Sequence, residues 1–230
     1  MNKQQVTESF IRAQRQYYSP PLRASNPTCT YQYLQDSSGL PYLPLSITVP
    51  VDIIAQEINT ASHLLTPHRQ DYDSQGWSSF CLHGRSIDQT LSDEFYTTTI
   101  DHNWTPEAVE FMPNTVEWLK TEWPHGSYDR VRVMCLEPGG WILPHRDYEK
   151  RRLGPINIAV TQPDDCGFYT EDIGKVPFAN GSAMWMDVSR RHAVINNSNQ
   201  PRYHMIIHQT TSRDWERLVL NSYKDLPCKD

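Results

Sequence analysis

The 230-residue sequence has no apolar run near the roughly eighteen residues a membrane-spanning helix needs. Its first residues, MNKQQVTESFIRAQRQYY, lack the apolar core of a secretory leader. The five cysteines, Cys29, Cys81, Cys135, Cys166 and Cys228, include no CxxC pair and are widely spaced. That pattern argues against a thiolate zinc site and a disulfide framework, and leaves reduced cysteines acting as small buried hydrophobes. There is no positive excess either: 21 Lys+Arg against 27 Asp+Glu give a formal charge of -6. An acidic chain is repelled by phosphate backbones and anionic lipid, so neither nucleic acid nor membrane is an expected partner. No internal repeat or low-complexity tract is present. What remains is a soluble, cytoplasmic globular chain of one domain with an extra segment.

Residues 1–45 stand apart. Residues 3–16 form a short helical pattern with Val6, Phe10 and Ile11 toward one side. A Pro-, Ser- and Tyr-rich stretch follows, whose prolines discourage regular structure. This segment reads as an arm over a sheet edge or as an active-site lid. The domain proper, 46–230, begins with a helix over 51–65 carrying Asp52 as its cap. A strand over 77–84 and a helix over 113–122 come next, the latter with Pro113 at its start. Short strands then fall near 130–136, 141–146, 156–161, 167–171, 182–187, 191–196 and 202–209. A last helix is capped by Ser212. Many strands flanked by helices predict a mainly β chain, a cupin-like jelly roll or double-stranded β-helix.

Pro144-His145-Arg146-Asp147 lies among these strands. Residues two apart on a strand share a face, so His145 and Asp147 aim an imidazole and a carboxylate at one point. His192, in the β-branched run RRHAVINNS, supplies a second imidazole from another strand. Two histidines and one carboxylate leave three positions open on an octahedral ion, which suits non-heme Fe(II) and O2 chemistry, whereas a structural zinc site closes with four protein ligands. Arg202 follows His192 by ten residues, across the turn-forming Asn196-Asn197-Ser198-Asn199-Gln200-Pro201. The two strands are expected to form a hairpin that brings Arg202 within about 7–13 Å of the metal, at the usual rise per residue. There its guanidinium would grip a carboxylate with a fork of two hydrogen bonds. His204, two residues on, faces the same way.

The residues from about Trp77 to His208 resemble the aspartyl/asparaginyl β-hydroxylase superfamily, especially the branch with free-proline hydroxylases. The resemblance is carried by WSSFCLHG, PNTVEWLKTEWP, VRVMCLEPGGWILPHRD, INIAV, GSAMWMDVSRRHAVINNS and PRYHMIIH. It implies a double-stranded β-helix using Fe(II), 2-oxoglutarate and O2. The metal ligands carry over to His145, Asp147 and His192, and the co-substrate arginine to Arg202. The mammalian protein-directed members lack the metal carboxylate that Asp147 supplies here. They also carry a second arginine and a histidine after HxD, where only Arg152 corresponds. Asn157 is expected to take over a polar contact to the co-substrate.

These residues point to a 2-oxoglutarate-dependent dioxygenase that hydroxylates a C–H bond of a free amino acid or small peptide-like metabolite. Asp147 fills the position a halogenating relative would leave for halide. Arg152 is a candidate for a substrate carboxylate, and Trp141 and Trp185 for the pocket wall. His63, His68, His83, His102, His125 and His208 lack paired ligand spacing and read as structural or surface. Two rivals remain: a hydroxylase of protein side chains, and a non-catalytic cupin-type binding barrel, which gives no reason for Arg202.

Overall fold

Strand β5, Tyr128–His145, is an 18-residue strand that runs the length of the sheet. The computed structural model describes residues 2–15, 17, 20–23, 29–69, 74–91 and 102–228. Before β5 come α1 (Lys3–Gln14), α2 (Tyr31–Asp36), β1 (Tyr42–Pro44), α3 (Val51–Ala61), β2 (Thr66–Pro67), β3 (Ser74–Gly84), β4 (Asn103–Trp104), α4 (Pro106–Phe111) and α5 (Pro113–Thr121). After it come β6 (Ile156–Thr161), β7 (Cys166–Thr170), β8 (Gly174–Lys175), β9 (Ala183–Met186), β10 (His192–Asn196), β11 (Arg202–Gln209) and α6 (Arg213–Lys224). All strand pairs among these are antiparallel, in the order β1-β9-β6-β11-β5-β10-β7-β8, with β3 on the other edge of β5. The curled sheet with helices outside is the jelly-roll, double-stranded β-helix architecture.

The expected hairpin between His192 and Arg202 is not formed. His192 faces His145, Arg202 faces Leu136 and Gln209 faces Tyr128, so β10 and β11 continue in one direction along a single edge of β5. Residues 196–201 are an excursion from that course, not a reversal. The Asn196 side-chain amide closes it by donating to Leu136 O (2.9 Å) and Gln200 O (2.8 Å). The strands expected at 130–136 and 141–146 are likewise one strand with a bend. Gly139 sits there at φ +73°, and a Cβ on Gly140 would lie 2.9 Å from Gln75 O and 2.8 Å from Glu137 O. Only glycine permits that backbone and that approach.

The bend gives the sheet two halves, each with its own cover. Val131, Val133, Ile158, Met205 and Ile207 pack outward against Ile54 and Ile58 of α3, Val116 and Leu119 of α5, and Trp215 and Val219 of α6. On the second half, Trp141, Tyr169 and Ile195 pack under Ile11 of α1. The N-terminal segment thus lies on the outside: α2 stacks Tyr31 on Trp185 (5.3 Å) and β1 pairs with β9. Ser212 caps α6 by accepting from the Trp215 N–H, as its sequence predicts. Asp52 is not a cap; Pro50 holds the N-cap position of α3 and Asp52 falls in its first turn.

The carboxylate of Glu57, buried on α3, takes over the exposed donors at the start of α5. It accepts from the N–H groups of Asn114 (2.8 Å) and Thr115 (2.9 Å), and from both their side chains. Four bonds to one charged group at a helix N-terminus outweigh the cost of burying it. Glu57→Gln keeps the shape but turns one acceptor into a donor facing N–H groups. It is expected to lower the unfolding free energy in urea by about 2 kcal/mol; an unchanged midpoint would show that this contact does not support the helix layer.

Candidate active site

His145 closes β5 and His192 opens β10, so the antiparallel register sets the two imidazoles side by side, ring centroids 4.2 Å apart. The Nδ1–H of His145 donates to Leu143 O (2.7 Å) and that of His192 to Arg190 O (2.9 Å). With Nδ1 engaged in both rings, Nε2 is the nitrogen each turns to the site, that of His145 lying 3.4 Å from Asp147 Oδ1. Asp147 lies two residues beyond the strand. Its position comes not from strand alternation but from a loop, held by its N–H donating to Val188 O (3.0 Å). One ligand atom from each of the three residues lies within 4.8 Å of the others.

The electrostatics suit a cation. Burial, then the His145 charge, brings His192 down to about 4, so it is neutral at pH 7. Burial works to raise Asp147, but the hydrogen bond from His145 and the charges of both imidazoles prevail and hold it at about 2. Two imidazole nitrogens and one carboxylate converging on one point fit a divalent ion with open positions. The loop before His192 is braced from below: Arg190 pairs with Asp187 (3.0 Å) and Asp172 and donates to Gly39 O (2.8 Å).

The triad borders a cavity of ≈ 380 Å³ that also receives Arg202, His204 and Asn157. Arg202 stands at the corner where the sheet bends. Its Nε donates to Gln162 Oε1 (3.0 Å) and its Nη2 to His204 Nδ1 (3.0 Å), while His204 Nε2–H donates to the same Gln162 oxygen (3.0 Å). The guanidinium plane is therefore fixed, and Nη1 has no protein partner among the described residues. Burial lowers Arg202 to about 10, so it stays charged at neutral pH. Asn157 lies level with Ile206 and Arg132, further along the ladder.

Three residues expected at the pocket lie away from this cavity. Trp141 faces away from the cavity, donating to Gln75 Oε1 (3.2 Å) under α1, while Ile142 takes the inward place; the register irregularity between Ile142 and His145 puts His145 on that same side. Arg152 stands in the loop after Asp147, its guanidinium 5.0 Å from the Tyr148 ring, and borders a separate cleft with Gln35 and Asp187. Trp185, too, is outside, bonded to Gly154 O (2.7 Å). Conversely His68 and His208, read as structural or surface, border the cavity, together with Arg130 and Arg132. The alternation in Arg130-Val131-Arg132-Val133-Met134 was the available signal: on one strand, both arginines face the same side as His145's cavity.

The family model for aspartyl/asparaginyl beta-hydroxylase matches residues 51–211, more than half the chain and every residue of this site. The chain belongs to that family. It is a 2-oxoglutarate-dependent oxygenase, with Fe(II), 2-oxoglutarate and O2 as its cofactor and co-substrates. No curated protein sequence matches it. Solved structures with a similar course of chain include a Pseudomonas putida prolyl-4-hydroxylase (14% identity, 75% of this chain and 94% of that one, TM-score 0.44). Others are a 2OG-Fe(II) oxygenase family oxidoreductase from Burkholderia pseudomallei (11%, 74% and 84%, 0.47) and the collagen prolyl hydroxylase of Paramecium Bursaria Chlorella virus-1 (12%, 74% and 97%, 0.43). Values this low leave the fold assignment to the strand topology itself. No helix among the described residues is long and apolar enough to cross a membrane.

The cavity histidines have a consequence for stability. Burial first, then neighbouring arginines, holds His68 at about 2, His208 at about 3 and His204 well below the usual value. The unfolded chain takes up these protons near pH 6.5, so protonation favours unfolding. The metal-free protein is expected to keep its full stability above about pH 7. As pH falls through 6.5 it loses up to about 1.4 kcal/mol per pH unit for each such histidine. A urea midpoint clearly lower at pH 5 than at pH 7 is the expected result; an equal or higher midpoint contradicts the neutral, buried assignment.

Proposed function

We propose that the protein hydroxylates a C–H bond of a free amino acid or small peptide-like metabolite, with succinate and CO2 as co-products. The observation that carries this reading is that the His145–Asp147–His192 donor set and Arg202 border one cavity, whose volume of ≈ 380 Å³ lies in the small-molecule range. The metal, once bound, supplies O2 activation coupled to oxidative decarboxylation of 2-oxoglutarate. The chain supplies the rest. Arg202, fixed by Gln162 and His204, presents a preformed fork to the distal carboxylate of 2-oxoglutarate. Met134, Ile142, Phe168 and Val194 line the space between and exclude water from it. Phe168 stacks on His192 (5.0 Å), which fixes the plane of that imidazole. Asp147 occupies a coordination position, which favours hydroxylation over transfer of a bound halide. The free cysteines suit the cytoplasm as the compartment.

Succinate formation with Fe(II), 2-oxoglutarate and O2 over a pooled amino-acid panel tests the reading, with mass spectrometry for one added oxygen. His192→Ala is expected to abolish succinate, and Arg202→Gln to raise the KM for 2-oxoglutarate by about 100-fold, the order expected for losing a charge-assisted fork. Succinate from His192→Ala at the parent rate would contradict the assignment.

A further inference from the structure

The three metal-facing residues stand on two separate stretches of chain, and the turn between β7 and β8 touches both. Register places it there. Thr170, the last residue of β7, faces His192, the first of β10. Glu171 therefore comes level with Arg191, and its N–H donates to Arg191 O (2.8 Å). The Glu171 carboxylate then turns back on the same neighbours. Its Oε1 accepts from the Arg191 N–H (3.2 Å) and from Nη2 of Arg146 (2.7 Å). Arg146 stands between His145 and Asp147 in the chain, and Arg191 directly precedes His192. One oxygen thus bonds to the chain neighbours of all three ligands, although Glu171 does not itself line the cavity.

The next residue extends the contact. Asp172 accepts from Nη1 of Arg190, whose own carbonyl orients His192 through Nδ1 (2.9 Å). Arg151, in the loop after Asp147, lies 3.8 Å from Glu171 and 3.7 Å from Asp172. The turn is itself anchored by α1. Asp172 has φ +67°, a left-handed conformation that aspartate visits more readily than most residues, and its N–H donates to Gln14 Oε1 (3.1 Å). Gly174 (φ +78°) follows where α1 ends, and a Cβ there would lie 2.7 Å from Gln14 O. Phe10 of α1 also lies against the Arg191 guanidinium (5.6 Å). The N-terminal helix fixes the turn, and the turn fixes the two ligand-bearing segments.

Exposed ion pairs add little to folding stability. Arg146 is about half exposed and Glu171 about a quarter, so the value of their contact lies in geometry. Asp147 falls beyond the end of β5, where no ladder sets its place against His192. The Glu171 contact ties its neighbour Arg146 to the chain that carries His192. Groups that orient metal ligands matter to the metal: losing one typically weakens binding about 10- to 100-fold.

We propose that Glu171 is a positioning residue for the metal centre: its carboxylate oxygen sets the spacing between the His145–Asp147 segment and His192, so that the three ligands meet one ion. The inference rests on the metal-site reading and adds to it a residue outside the cavity.

Anaerobic titration of the full chain with Co(II), read by visible absorption, tests this. Co(II) takes the same nitrogen and oxygen ligands as Fe(II), and its spectrum reports their number and arrangement. Glu171→Ala is expected to weaken Co(II) about 10-fold, the lower end for a residue one step removed from the ligands, and to change the bands at saturation. Glu171→Gln keeps an oxygen acceptor where Oε1 stands and is expected to restore most of the affinity and the parent spectrum. Adding Arg146→Ala to Glu171→Ala is expected to cost little more than Glu171→Ala alone, because both remove one shared contact. Arg217→Ala breaks an ion pair to Asp214 (3.1 Å) on α6 and is expected to leave affinity and spectrum unchanged. The urea midpoint of metal-free Glu171→Ala is expected to stay near the parent's. Parent-like Co(II) affinity and bands in Glu171→Ala would overturn the proposal. So would equal weakening in the Ala and Gln variants with a lowered urea midpoint, the mark of a folding defect. A parent chain that binds no Co(II) would sink the metal-site reading, and this role for Glu171 with it.

Discussion

One antiparallel ladder organises the molecule: β5 along its whole length against the course from His192 to Gln209. Its register makes the two metal-facing imidazoles neighbours at one end. It puts Arg202 at the bend, and Arg130, Arg132 and His208 toward the other end. The bend itself depends on Gly139 and Gly140, where β3 passes too close for a side chain. Ile142 keeps the inward phase of Arg130, Arg132 and Met134, and an irregularity between Ile142 and His145, opposite His192–Val194, then brings His145 inward as well.

Charge explains why the site is built with so many histidines. A cavity lined by five arginines favours neutral imidazole, and burial adds to that preference. Neutral histidines serve as metal ligands at the triad and as acceptors or donors elsewhere: His68 receives Arg132, and His204 links Arg202 to Gln162. Asp147 is then the counter-charge of the centre, and small anions are the natural occupants of the rest of the cavity. The acidic exterior and the basic interior do different work, keeping polyanions off the surface while the cavity attracts small ones.

The helices at 113–122 and after Ser212 and the strand at 156–161 were legible because caps and periodicity are local. HxD, the distal His192 and Arg202 were legible because their residue types and spacing point to one chemistry. The route between them was not. Asn196–Pro201 carries turn chemistry, yet such residues cannot say whether the chain reverses or resumes its direction; Leu136 on the neighbouring strand decides that through Asn196. Trp141 was misplaced because an irregularity between Ile142 and His145 breaks the alternation that would put Trp141 on the face of His145. Gln162 carried no signal, since its partners Arg202 and His204 are 40 and 42 residues away in sequence. Asp147 shares a site with His145 for a reason other than strand geometry.

The central claim is that one ion, held by His145, Asp147 and His192, binds 2-oxoglutarate in the cavity that Arg202 closes. Anaerobic titration of the Fe(II)-loaded protein with 2-oxoglutarate, followed by visible absorption, tests it most directly. The account predicts a charge-transfer band that grows to saturation at one 2-oxoglutarate per chain and is absent without Fe(II). Binding of 2-oxoglutarate with no such band, or with equal affinity in the metal-free protein, would contradict it.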